Sequence, residues 1–120
     1  MTRPLVVKVT CGAEDAERCN QGFTVAATAV AAGAEVSLWL TGEAAWFGVP
    51  GHAEEFALPK ATPLADLLEE VVGGGRVTVC SQCAGRRGIG AEDLRPGVVI
   101  AGAAVFTEEI LREHAQALVY

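Results

Sequence analysis

Four cysteines carry the chemistry open to this chain, and two stand three residues apart in Cys80-Ser-Gln-Cys83-Ala-Gly-Arg86-Arg87-Gly88. The run Val77-Thr78-Val79 precedes them, so Cys80 is expected at the exit of a buried strand. A thiolate, unlike a thiol, attacks sulfur and binds soft metals, and a nearby cation depresses a thiol pKa below its usual value of about 8.5. If the segment after Cys83 turns helically, Arg86 or Arg87 approaches the Cys80 sulfur. Cys80, Cys83, Arg86 and Arg87 are therefore the candidate catalytic residues.

The other two thiols are Cys11, which closes the first predicted strand, and Cys19, in the first turns of the following helix. Functional groups of a parallel α/β sheet gather at the carboxyl ends of its strands. If the first and third strands are neighbours, loops 11–18 and 81–87 face each other, and three or four thiols share one sheet edge. Cys19 taken alone reads as a small packing residue.

Other chemistries compete for the same residues. Cys80 and Cys83 have the spacing of half a zinc knuckle, and Cys11 with Cys19 or His52 would complete the ligand set. Against it, Cys11 and Cys19 are eight residues apart and form no second tight pair. Thioredoxin-like exchange also begins with C-x-x-C after a strand. The chain lacks, however, an aromatic residue just before the motif and a later proline that clearly fills the cis position. A non-enzymatic reading is an oligomeric binding module with Trp46 and Phe47 on an exposed loop. His114 reads as a complement to the last helix dipole. Gly73-Gly-Gly75 precedes a strand and so is no phosphate loop, and Ala101-Gly-Ala-Ala104 lacks the dinucleotide fingerprint.

At 120 residues, with 51% hydrophobic and 6% aromatic side chains, the chain is expected to form one domain over residues 1–120 with a real core. Its net charge of −6 argues against a nucleic-acid partner. Leu5-Val-Val7 is too short for a signal-peptide core, and the uncharged stretch 19–34 is too short and too rich in Ala, Thr and Gly to span a membrane. A cytoplasmic protein without membrane contact is expected, and in that reducing compartment the cysteines read as catalytic, metal-binding or buried.

The elements that must position these groups are strands at 5–10, 35–40, 77–79, 97–100 and 117–120, alternating with helices. The first helix, Ala16 to Ala32, is nearly apolar all round and predicts cover on both sides. The second starts at Thr62 as N-cap with Pro63 in first position, and the last is predicted over 107–116. This alternation predicts a three-layer α/β/α sandwich around a mostly parallel five-stranded sheet.

Across nearly its whole length the chain resembles the DsrE/DsrF-like family, with its TusD sulfur-relay and YchN-type branches. The resemblance rests on Leu5-Val-Val-Lys-Val-Thr10, Phe23-Thr-Val-Ala-Ala-Thr-Ala29 running to Gly33, and Glu35 to Leu40 with Thr41-Gly42. It continues through Pro63-Leu-Ala-Asp-Leu-Leu68, Cys80-x-x-Cys83-Ala-x-x-Arg87-Gly-Ile89 and Val98-Val-Ile-Ala-Gly102. It implies a homo-trimer or homo-hexamer. From the relay branch it implies that Cys80, eight residues before Gly88, accepts a persulfide sulfur passed between sulfur-donor and sulfur-acceptor proteins. Cys83 would then be the resolving thiol, with no cofactor, or zinc in the metal reading. The acidic loop 11–18, carrying its own cysteine, departs from the relay pattern.

Overall fold

The computed structural model describes residues 3–120. In chain order they form β1 (Pro4–Val9), a 3-10 turn (Ala13–Asp15), α1 (Ala16–Ala31), β2 (Glu35–Leu40) and a 3-10 segment (Gly42–Gly48). Next come α2 (His52–Glu55), α3 (Leu64–Gly74), β3 (Arg76–Cys80) and α4 (Ser81–Arg86). A 3-10 turn (Ala91–Asp93), β4 (Val98–Ala101), α5 (Ala103–Ile110) and β5 (Gln116–Val119) complete the order.

The strands make one sheet, ordered β4-β3-β2-β1-β5, with every pairing parallel. Passing from β1 to β4 moves one way across the sheet, so right-handed crossovers hold α1 and α3 on one face. The return to β5 runs the other way and places α5 on the opposite face. The expected α/β/α sandwich is what forms.

Under α1 and α3, Val7, Val9, Leu38, Leu40, Val77 and Val79 pack against Phe23, Leu64, Leu68 and Val71. Ala26 and Ala27 of α1 belong to the same core. The other face is held differently. Trp39 meets the Phe106 ring of α5 edge-on at 5.3 Å, and Lys8 Nζ lies 5.0 Å from the centre of that ring. Glu109 accepts hydrogen bonds from Ser37 Oγ (2.6 Å) and the Trp39 indole N–H (2.9 Å). One short helix cannot cover this face, and Val99 and Val119 stay exposed on it.

Several boundaries differ from the sequence expectation for identifiable reasons. The exposed residues Glu17, Gln21, Thr24 and Thr28 give α1 the polar stripe of a one-sided surface helix, so cover on both sides is not met within this chain. Helix α3 begins at Leu64, with extended Pro63 as its cap residue and no side-chain capping bond from Thr62. The last helix occupies 103–110 rather than 107–116, because Ala103 and Ala104, strong helix formers, start it directly after Gly102. His114 then falls beyond the helix at φ 66°, exposed in the turn before β5, and does not complement a dipole.

Candidate functional site

Strand β3 delivers Cys80 to the carboxyl edge of the sheet, where it caps the start of α4. Val77 and Val79 point into the core under α1 and α3, so strand alternation puts Thr78 and Cys80 on the α5 face. Partial burial raises the Cys80 pKa. The backbone amides of Cys83 and Gln82, the Cys83 thiol and the positive charge of Lys8 act the other way and together hold it below the ordinary thiol value. The Cys80 side chain makes no capping hydrogen bond at the start of α4.

Cys83 lies in α4, half-buried, and its sulfur accepts the Gly42 N–H at 3.2 Å. Gly42 has φ 54°, and a Cβ there would run into the Thr10 carbonyl oxygen. Only glycine fits, and through it the chain leaving β2 is pinned between the end of β1 and the Cys83 loop.

The two arginines divide. Arg87 donates to the Cys83 carbonyl from Nη1 (3.1 Å) and to Glu43 from Nε (2.9 Å), with Nη2 2.8 Å from the same carboxylate. It braces the loop and is committed to Glu43. Arg86, at the end of α4, is exposed. The cation that acts on Cys80 is Lys8, from β1. Lys8, Gly42 and Glu43 were missed as site residues. The available signal was a lysine in the middle of an otherwise apolar central strand, a costly placement unless its charge is used.

Cys11 and Cys19 do not join Cys80. Strand β2 separates β1 from β3, so the loops after β1 and β3 are not neighbours as expected. Both thiols belong to the core under α1, with Cys19 0% exposed. The Cys11 thiol donates to the Asp15 carbonyl at 3.7 Å. Burial first, then the charges of Asp15 and Glu14, push the Cys11 pKa up. Burial, Cys11, Glu14 and Asp15 drive Cys19 to about 12. All four cysteines are unbridged. The surroundings of Cys80 thus favour its anion, while burial disfavours the anions of Cys11 and Cys19.

Cys11 is not brought to Cys80 and Cys83 as the zinc reading required. Among the described residues, no three His, Cys, Asp or Glu side chains gather to hold a metal ion. His52 stacks on Trp46 with ring centres 5.1 Å apart, in a cleft of about 280 Å³ also lined by Glu14, Glu43 and Phe56. Phe47 is not on an exposed loop: it packs edge-on against Phe23 (5.7 Å) and Phe56 (5.8 Å) inside the chain's own core. Among the described residues, no helix is long and apolar enough to cross a membrane.

The sequence profile of the DsrE/DsrF-like family matches residues 5–116. The chain belongs to the DsrE/DsrF-like family. Among solved structures it is similar to the ychN protein of E. coli, with a TM-score of 0.83 and 18% identity over 99% of this chain and 100% of that one. It is also similar to MTH1491, a protein of unknown function from Methanobacterium thermoautotrophicum, with a TM-score of 0.62 and 11% identity, all of both chains being covered. At these identities the likeness is one of fold. No curated protein matches the sequence.

Proposed function

We propose that the protein carries sulfane sulfur as a persulfide on Cys80, in keeping with the association of the DsrE/DsrF-like family with sulfur relay. The observation that carries this reading is the split among its thiols. Cys80 stands at the carboxyl edge of the sheet with its pKa lowered, while burial raises Cys11 and Cys19. The Cys80 thiolate attacks the outer sulfur of a donor persulfide, R–S–SH. A bond forms between Cys80 Sγ and that sulfur, the donor S–S bond breaks, and R–S⁻ leaves. No net oxidation occurs.

Cys83 is the resolving thiol. Its thiolate attacks Cys80 Sγ, forms a Cys80–Cys83 disulfide and expels the outer sulfur as hydrosulfide. An external dithiol then resets the pair by two-electron reduction. Arg87 holds the loop in shape through Glu43 and the Cys83 carbonyl. Exposed Arg86 meets the anionic donor at the protein surface. Donor and acceptor are proteins of the reducing cytoplasm. An acceptor thiolate attacks the outer sulfur, takes it as its own persulfide and leaves Cys80 as the thiolate, while resolution by Cys83 unloads sulfur that no acceptor has taken.

The test is loading from glutathione persulfide, followed by intact mass. Wild type gains one sulfur on Cys80, Cys80→Ser gains none, and Cys83→Ser loads but keeps its sulfur longer. Loading of Cys80→Ser on another cysteine would end this assignment.

A further inference from the structure

Thr78 is 0% exposed, and its hydroxyl has no hydrogen-bond partner among the described residues. A buried hydroxyl left unpaired costs stability, and such a group needs an explanation. Its position supplies one. Thr78 pairs in register with Trp39, and Trp39 with Lys8, so the three residues form a row across the α5 face. Cys80 lies two residues further along β3 on that same face.

Lys8 completes the arrangement. Its ammonium is held over the Phe106 ring, and among the described residues no carboxylate lies within ion-pair distance of it. Glu109, the acidic group of α5 facing the sheet, already accepts from Ser37 and Trp39. Arg112 pairs with Glu35 at the far, amino end of the strands. One buried donor and one unpaired cation therefore stand in that row on either side of Trp39, one same-face step short of Cys80.

We propose that Lys8 and Thr78 form a subsite beneath α5 for the outer sulfur of the Cys80 persulfide. This rests on the sulfur-carrier reading and adds the place where the cargo is kept. A persulfide ends in a sulfur anion one bond beyond Sγ. That anion accepts the Thr78 hydroxyl and faces the Lys8 ammonium, while α5 shields it from water and from stray thiols. The unpaired hydroxyl of the unloaded protein is then the donor kept for the loaded one. Lys8 and Thr78 act as positioning residues, and neither exchanges a bond with sulfur.

The substitutions that test this are Lys8→Met, Lys8→Arg and Thr78→Val. After loading with glutathione persulfide and removal of excess reagent, the lifetime of the extra sulfur is followed by intact mass. Lys8→Met and Thr78→Val should lose it roughly tenfold faster than wild type, the scale of one hydrogen bond to a charged group. Lys8→Arg should restore most of the lifetime. Thr78→Val should fold as stably as wild type or more so, since it removes an unpaired hydroxyl. Stability and sulfur retention thus move in opposite directions, which a merely structural Thr78 would not produce. Equal lifetimes in wild type, Lys8→Met and Thr78→Val overturn the subsite and leave sulfur carriage standing.

The subsite also has a readout with no sulfur bound. The pH profile of Cys80 alkylation by iodoacetamide should move to higher pH in Lys8→Met, because its positive charge is gone. An unmoved profile overturns the inference even if wild type carries sulfur. A moved profile in a protein that never loads keeps the anion subsite and removes the sulfur-carrier reading.

Discussion

Replacing Gly42 by alanine perturbs the one backbone position that ties β1, β2 and the Cys83 loop together. Two costs add. A left-handed conformation such as φ 54° costs an alanine about 1–2 kcal/mol relative to glycine. The added Cβ also meets the Thr10 carbonyl, which is backbone and cannot swing aside, and overpacking of that kind costs about 1–3 kcal/mol. The sum is about 2–5 kcal/mol, a large share of the ~5–15 kcal/mol that holds a domain folded. Gly33 is the internal control: its φ is 90°, but nothing lies within 4 Å of a Cβ there, so Gly33→Ala should cost only the backbone part, about 1–2 kcal/mol. Urea unfolding at unchanged slope gives both numbers. Because the Gly42 N–H also holds the Cys83 sulfur, Gly42→Ala should speed alkylation of Cys83, and Gly33→Ala should not. Equal destabilisation by the two substitutions, within about 0.5 kcal/mol, would refute the close approach to Thr10 as the reason for the glycine.

Three further outcomes follow from other contacts. Glu109→Ala should cost about 2–4 kcal/mol, because it strips the partner from a buried Trp39 indole N–H and from Ser37; urea unfolding with a loss under about 1 kcal/mol would show that α5 is held otherwise. Cys19 has a folded pKa of about 12 against 9.0 for the free thiol, so its contribution is complete below pH 9 and is lost as pH rises towards 12, the unfolded chain ionising first. Wild type should therefore lose about 2–3 kcal/mol more than Cys19→Ala between pH 9 and pH 11, and parallel stability curves would contradict this. Arg87→Ala breaks a partly exposed pair with Glu43 and should cost at most about 1 kcal/mol. It should leave the alkylation rate of Cys80 near wild type, whereas a steep fall would return Arg87 to the sulfur.

The fold was legible because strand and helix signals alternate cleanly, and Leu5-Val-Val7 is apolar on both faces as a buried parallel strand should be. The position of Cys80 at a strand end followed from the same pattern. What could not be read was strand order. Nothing local to Cys11 or Cys80 records that β2 lies between their strands, so the expected meeting of thiols failed. Lys8 was hidden for a related reason: Phe106, which its ammonium overlies, and Cys80, whose anion its charge favours, come from distant parts of the chain. Arg87 misled because sequence proximity to Cys80 is not spatial aim, and Glu43, from the loop after β2, claims the guanidinium. Phe47 was taken for a surface aromatic because the segment around it looks like a loop, yet its 3-10 turn folds the ring between Phe23 and Phe56.

The measurement that bears most directly on sulfur carriage is the intact mass of protein purified gently without reductant, under native and denaturing conditions, with peptide mapping of any added mass. The account predicts one added sulfur on Cys80 that survives denaturation and is removed by dithiothreitol. Zinc bound in the native spectrum and lost on denaturation, with Cys80 unable to take up sulfur even from a persulfide donor, would contradict it.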